Sequence, residues 1–273
     1  MQRGTGSLAD WRSYDGVARS YDDVWGHRFE EAARHIWARI PLPAGAALLD
    51  IGTGTGIVPR ALGARLDRFS RLIGCDRSQG MLSEARTRIP QSRVVAADAR
   101  QLPFADAVFD VVTASFVLSH LPDHRPGLME AHRVLKPSGT FAMASWAAKT
   151  DPHREAWSRL LEEVVPASRL QEASGEVAPS EAFFESAENV SSALTEAGFA
   201  TIEVRSVVLR GRLSLERFLA DRELSSSGRF ARHAMGQAGW RRFLANAREE
   251  LARSFGTNFG ESRRVLIGLG RRE

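Results

Sequence analysis

The run Leu48-Leu49-Asp50-Ile51-Gly52-Thr53-Gly54-Thr55-Gly56 joins an apolar stretch, an acid and three glycines at alternate positions. Glycine lets the backbone turn sharply and approach a ligand where a Cβ would clash. A buried strand feeding such a loop, with a helix after it, builds a nucleotide-shaped pocket at the strand's C-terminal edge. The loop carries no lysine or arginine, so no side-chain cation waits for a polyphosphate, and the G-x-x-x-x-G-K-[ST] pattern is absent. A dinucleotide fingerprint needs a third small residue where this chain has Ile57. Asp50 instead sets a carboxylate just before the glycines, which suits a ligand with a cationic amine or sulfonium. On this segment alone, a tight turn that binds nothing is the alternative.

Two further acids end apolar runs. Asp76 closes RLIGCD, 20 residues past Gly56, where an acid can accept hydrogen bonds from both hydroxyls of a ribose. Asp98 follows SRVVAA and can accept from an exocyclic amine of adenine while the Ala99 amide donates to a ring nitrogen; a helix N-cap is its structural alternative. Met81, in the first turn of a helix capped by Ser78, offers a thioether to an aromatic ring edge or packs as a core residue. His120 lies just past a fourth apolar run, and an imidazole with an ordinary pKa of ~6.5 can act as a base; simple packing is the other reading.

These residues need a scaffold, and the apolar runs supply one. Residues 71–76, 92–97, 109–116 and 139–146 read as buried strands after the first, with helical patterns between them. That alternation predicts an α/β fold with a doubly wound, mostly parallel sheet. Before it, Tyr14, Val17, Ala18, Tyr21 and Trp25 mark one face of an amphipathic helix, and Phe29 to Ile40 mark a second, stopped by Pro41 and Pro43. Beyond Trp146 the alternation breaks: helices are expected over 153–165, 189–197, 213–224 and 240–255, and strands over 200–208 and 263–269. One domain follows, with N-terminal helices over the cleft (1–45), a core (46–146), two insertions (147–187 and 209–260) and a closing helix and strands (188–208 and 261–273). Insertions at the carboxyl edge of such a sheet commonly form a substrate wall. Trp146, Trp157, Phe183 and Phe184 are therefore candidates for an apolar pocket, with a small core inside the insertions as the alternative.

Five segments, DIGTGTG (50–56), GCD (74–76), AADARQLPFAD (96–106), FDVVTASFVLSHLPD (109–123) and HRVLKPSGTF (132–141), occur in the order and spacing of a known family. From about Tyr14 to Trp146 the chain resembles the class I S-adenosylmethionine-dependent methyltransferases of the small-molecule type, a broad group that includes the ubiquinone/menaquinone methyltransferases. The resemblance implies a Rossmann-like, seven-stranded sheet with an antiparallel last strand, helical lid insertions, and S-adenosylmethionine as cofactor, with S-adenosylhomocysteine as product. It places Tyr21, Asp50, Gly52, Thr53, Gly54, Gly56, Asp76, Arg77, Met81, Asp98, Ala99 and Ser115 at the cofactor and His120 near the transfer site. The implied activity is methyl transfer to an oxygen, nitrogen or carbon of a small organic molecule, a secondary metabolite or quinone-type precursor. Two alternatives stay open: a protein of this fold that binds the cofactor but runs a non-methylating reaction or only binds, and a nicotinamide-dependent oxidoreductase.

Composition narrows the setting. The net charge of +4 comes from arginines spread along the chain, with lysine only at Lys136 and Lys149. A nucleic-acid groove would gather charge on one face and interleave aromatics, so a small-molecule substrate is expected and a nucleic acid is not. No run approaches the ~20 apolar residues that span a bilayer, and MQRGTGSLADW lacks the apolar core of a secretion signal. The single cysteine, Cys75, cannot form an internal disulfide, so a reducing cytoplasm is expected. No His, Cys, Asp or Glu spacing suggests a metal site.

Overall fold

A computed structural model describes residues 10–148 and 151–273. The N-terminal stretch 1–9, on which most of the leader expectation falls, and Lys149 lie outside the described residues.

Five strands, β1 (Ala47–Ile51), β2 (Arg71–Asp76), β3 (Arg93–Ala96), β4 (Phe109–Ser115) and β5 (Leu135–Trp146), run parallel. With β6 (Ala200–Ser214) and β7 (Asn258–Arg271) they form one sheet of order β3-β2-β1-β4-β5-β7-β6. β7 is antiparallel to both neighbours. Every residue of β1 is buried. A strand covered by helices on both faces must be apolar throughout rather than alternating, which is why LLDI reads as a continuous run. Chain order reverses between β1 and β4, so a crevice opens at the carboxyl ends of these two strands.

Helices cover both faces. On one, α1 (Ala18–Trp37) and the short α2 (Ile57–Arg60) bury Ile36, Trp37 and Val58 against Leu48, Val111 and Ile267. On the other, α4 (Arg125–Val134) and α7 (Ala187–Glu196) bury Leu128, Val190 and Leu194 against Leu49, Val112 and Phe141. α3 (Gln79–Arg88) joins β2 to β3, capped by Ser78 Oγ, which accepts from the Met81 amide at 3.1 Å. The remaining helices, α5 (Pro152–Glu162), α6 (Ala167–Val177), α8 (Leu215–Leu224) and α9 (Ser226–Phe255), form a separate layer with its own aromatic core. Gly236, at φ +67° and ψ 171°, breaks α9.

Four elements differ from the periodicity reading, one of them α9, which begins at Ser226 rather than at residue 240. The two expected N-terminal helices are one, because no proline or left-handed residue separates Trp25 from Phe29. Residues 167–177, outside the helices expected above, form α6; its apolar face is Leu170, Ala173 and Val177. β6 and β7 extend past the sheet as a two-stranded ribbon, pairing Leu209 with Arg263 and Ser214 with Asn258. Residues 209–214 and 258–260 are therefore strand, and the second insertion is α8 and α9. No described helix is long and apolar enough to cross a membrane.

Candidate functional site

At the switch point lies a cavity of about 560 Å³, within the size of ordinary small-molecule sites. The loops after β1, β2, β3 and β4 each reach it: Gly52 to Thr55, Cys75 to Ser78, Ala97 and Ala99, and Ser115 to Val117. Met81, His120, Tyr14, Tyr21 and Phe29 also line it, together with Asp10, Arg12 and Ser13 of the N-terminal segment and Glu176 and Val177 of α6.

The glycine loop is shaped for a ligand at one point in particular. Gly54 sits at φ +55°, and a Cβ built there would meet nothing within 4 Å. Its backbone thus needs glycine for its conformation and leaves open space in front of it. The Gly54 amide donates to Asp76 Oδ2 at 2.9 Å, and the Ser78 amide donates to Asp76 Oδ1 at the same distance. One carboxylate therefore holds the glycine loop and the start of α3 together. A carboxylate offers about four acceptor sites, so acceptor capacity remains toward the cavity. Burial pushes the Asp76 carboxyl above its usual range, against the opposing pull of the Ser78, Gly54 and Arg77 amides.

Asp50 is deeper. At 1% exposure it lies under the loop rather than on the cavity wall. Its Oδ1 accepts from Thr113 Oγ1 at 2.6 Å, and its buried Oδ2 has no hydrogen-bond partner. Burial raises its pKa to about 7, although hydrogen bonds from Thr113 and Thr53 oppose the shift. A buried carboxylate with a vacant oxygen is costly unless a positive charge approaches it. Ser115 Oγ, on the wall itself, is likewise buried without a partner. Cys75 lines the floor, and burial, next to the charge of Asp50, pushes its thiol up to about 12, so it stays protonated and unreactive.

The N-terminal segment clasps this site. Asp15 Oδ1 accepts from the Gly80 amide at 2.8 Å and from Ser78 Oγ at 2.5 Å, and Asp22 pairs with Thr55 Oγ1 and, at 2.7 Å, with Arg60. Tyr14 and Tyr21 meet edge to face at 6.2 Å; burial raises both phenol pKa values. His120 faces Tyr14 at 5.5 Å, and its Nδ1 is 2.7 Å from the Val177 carbonyl. A carbonyl only accepts, so Nδ1 carries the proton and Nε2 keeps its lone pair. Burial lowers the His120 pKa below 6.5, with the Val177 bond opposing and the charge of Arg229 assisting.

His120 also lines a second cavity of about 270 Å³, which shares Tyr14, Tyr21, Phe29, Phe116 and Val177 with the first and continues to Trp146. Of the residues singled out in the sequence, Tyr21, Gly52, Thr53, Gly54, Asp76, Arg77, Met81, Ala99, Ser115 and His120 meet at the first cavity.

Besides Asp50, which lies under the loop, five of the expected positions fall elsewhere. Gly56 faces away: a Cβ there would stand 2.2 Å from Ile89 Cδ1, so its role is close packing at φ +83°. The Asp98 carboxylate grips Arg100 through two bonds of 3.0 and 2.7 Å instead of reaching inward, which lowers its pKa to about 2. Trp157, at 1% exposure, sits in the lid core against Trp240 and Phe243. Phe184 is buried in the core beneath β5, and Phe183 stacks on His124 at 4.4 Å. Of the four aromatics expected at an apolar pocket, only Trp146, at the end of β5, reaches a cavity.

Sequence reasoning missed the charged groups of the lid. Arg229, in α9, donates to the Trp11 carbonyl at 2.8 Å and lies 4.8 Å over the Tyr14 ring. It is 215 residues from Tyr14 in the chain, so no local pattern could join them. Asp15 and Asp22 were visible beside Tyr14 and Tyr21, and the acid following each tyrosine was the available signal. The dinucleotide alternative fails on geometry as well as on spacing. α2 has only four residues and offers no long helix whose N-terminus could hold a pyrophosphate.

Residues 49–143 match the model of a methyltransferase domain. The chain is 36% identical over 139 residues to a demethylmenaquinone methyltransferase of Beutenbergia cavernae; the match covers 49% of this chain and 56% of that protein. It is 35% identical over 170 residues to the demethylmenaquinone methyltransferase of Corynebacterium glutamicum, covering 56% of this chain and 69% of the relative. Among solved structures, the phosphoethanolamine N-methyltransferase 2 of Haemonchus contortus in complex with S-adenosyl-L-methionine superposes with a TM-score of 0.59 at 19% identity, covering 100% of this chain and 62% of that one. At that identity the likeness is one of fold.

Proposed function

The chain belongs to the class I S-adenosylmethionine-dependent methyltransferases, and on that premise we propose that it methylates an oxygen, nitrogen or carbon nucleophile of a small organic molecule, with a quinone-type precursor or a secondary metabolite as the acceptor class. The observation that carries the reading is the cavity at the β1–β4 switch point. Its glycine loop has open space at Gly54, an acid with spare acceptor sites stands at the end of β2, and two buried polar atoms nearby, Asp50 Oδ2 and Ser115 Oγ, lack partners.

The residues present fit the cofactor. Asp76 would accept from the ribose hydroxyls, while Met81 and Ala99 would flank the adenine. Asp98 is committed to Arg100 and is not assigned to the base. The loop amides of Gly52 to Gly54 would meet the amino-acid tail, with Tyr21 and Ser115 beside it. Asp50, under the loop, would add attraction for a cation without touching it. When bound, S-adenosylmethionine supplies a methyl carbon already activated by its sulfonium. The protein's remaining tasks are orientation, exclusion of water and removal of a proton. Tyr21, Phe29 and Phe116 line both cavities, and their rings would help keep water from the path between donor and acceptor. His120 stands where the cavities join, with a free Nε2 and a depressed pKa, so it stays neutral at cellular pH and able to take the acceptor's proton.

Calorimetric titration of the purified chain with S-adenosylhomocysteine tests the cofactor half. Binding is expected, and absence of heat from folded protein removes the proposal. Transfer of an isotope-labelled methyl group into any product tests the other half.

A further inference from the structure

The wall of the second cavity carries a cluster of charged side chains. Arg28, Arg154 and Arg222 share the buried carboxylates of Asp221 and Glu261, and Arg154 also pairs with the buried Asp151 at 3.3 Å. Arg28 reaches Asp221 at 3.3 Å and Glu261 at 2.6 Å; Arg154 reaches them at 3.1 and 3.4 Å; Arg222 holds Asp221 at 2.9 Å. Burial tends to raise the Asp221 carboxyl, but these three guanidiniums hold it well below the usual range. The two acids are therefore spoken for.

Arg263 is a fourth cation on the same wall. It projects from β7, and its guanidinium lies 4.3 Å from the Trp146 ring centre. No carboxylate of the described residues comes within 4.0 Å of it. Burial, then the neighbouring charges of Arg154 and Arg222, pull its pKa down to about 9. Glu181 lines the cavity too, but burial raises its own carboxyl while Arg263 and Arg222 act on it from beyond contact distance. A partly buried guanidinium with no carboxylate in contact has donors to spare, and a planar fork of donors matches a carboxylate well.

The surface beside it is aromatic, built of rings tilted against one another. Trp146 packs on Phe116 at 4.5 Å and on Phe29 at 5.8 Å. Phe116 and Phe29 also line the first cavity, so an unbroken aromatic wall leads from the glycine-loop cavity past His120 to Arg263.

Resting on the proposed methyltransferase reading, we infer that the second cavity is the acceptor site and that it takes a planar acceptor bearing a carboxylate, with the ring on Phe116 and Trp146 and the carboxylate on Arg263. Such an acceptor places its anionic end away from the junction and its nucleophile toward His120. A neutral quinol leaves Arg263 without a counter-ion.

Naphthoate and its neutral near-isostere naphthamide serve as probes. Each is titrated calorimetrically into the full chain, alone and with S-adenosylhomocysteine, for the wild type, Arg263→Met and Arg263→Lys. The wild type is expected to bind naphthoate at least about ten-fold more tightly than naphthamide, as for one charge-assisted hydrogen-bonded contact. Arg263→Met should erase the preference, Arg263→Lys should keep part of it, and all three should bind S-adenosylhomocysteine alike. A wild type that fails to prefer naphthoate, or a preference that survives in Arg263→Met, overturns the assignment and leaves Arg263 as a cation stacked on Trp146 for structure alone. Loss of S-adenosylhomocysteine binding in the wild type overturns the methyltransferase reading separately, because the charge preference is also read in cofactor-free protein.

Discussion

Replacing Asp76 by asparagine changes one atom and should separate the two duties of that carboxylate. In the wild type, Oδ2 accepts from the Gly54 amide and Oδ1 from the Ser78 amide, each at 2.9 Å. The Arg77 amide also draws on this carboxylate, and of about four acceptor sites what remains would serve a ribose hydroxyl. Asparagine keeps one oxygen and turns the other into a donor. One amide, of Gly54 or of Ser78, then loses its acceptor, and at least one hydroxyl contact is lost. A hydrogen bond to a charged group contributes about 1.5–3 kcal/mol, so affinity for S-adenosylhomocysteine should fall roughly 10- to 100-fold. The assay is calorimetric titration of both proteins, with a thermal melt of each to show that the variant is folded. A folded Asp76→Asn that binds within about two-fold of the wild type would refute the role given to this acid.

Other perturbations probe other parts of the account. Asp50 has its pKa raised from 3.8 to about 7, so the folded state holds a proton that the unfolded chain releases. That stabilisation is complete below 3.8 and is lost as pH rises to about 7, a swing of about 4 kcal/mol. Denaturant titrations of the cofactor-free protein across this range should show the stability of Asp50→Asn rising relative to the wild type by about that amount as pH rises; a difference that does not change with pH contradicts the buried-acid reading. His120, with its pKa lowered by burial, should titrate below 6.5 in ring-proton NMR, and His120→Gln should abolish that signal; a midpoint above 6.5 would count against a neutral base. Trp157→Ala should cost about 3–5 kcal/mol in denaturant unfolding, as for a large residue removed from a packed core, and an unaltered midpoint would mean that the lid core does not carry it.

Much of the cofactor side was legible because its residues are local to strand ends. The Gly52 to Gly56 turn follows directly from β1, and Asp76 and Ser115 end β2 and β4, so apolar runs alone bring them to one crevice. Where side-chain direction decided the outcome, spacing was silent. Asp98 sits at the end of a strand like Asp76 does, yet Arg100, two residues on, captures it. Gly56 looks like Gly54 in the sequence but lies over Ile89. The lid was least legible. Trp157 and Trp146 are both large aromatics after β4; burial of one among α5 and α9 and placement of the other on β5 depend on helix packing that no short window records. The arginine cluster is harder still, since Arg28, Arg154, Asp221 and Glu261 come from four distant segments.

The central claim is that the β1–β4 crevice holds S-adenosylmethionine across the glycine loop. A crystal structure of the full chain grown with S-adenosylhomocysteine tests it most directly. The account predicts the ribose hydroxyls on Asp76, the amino-acid tail over Gly52 to Gly54 and the sulfur facing His120. Density for the ligand anywhere else, or an empty crevice at saturating concentration, would contradict it.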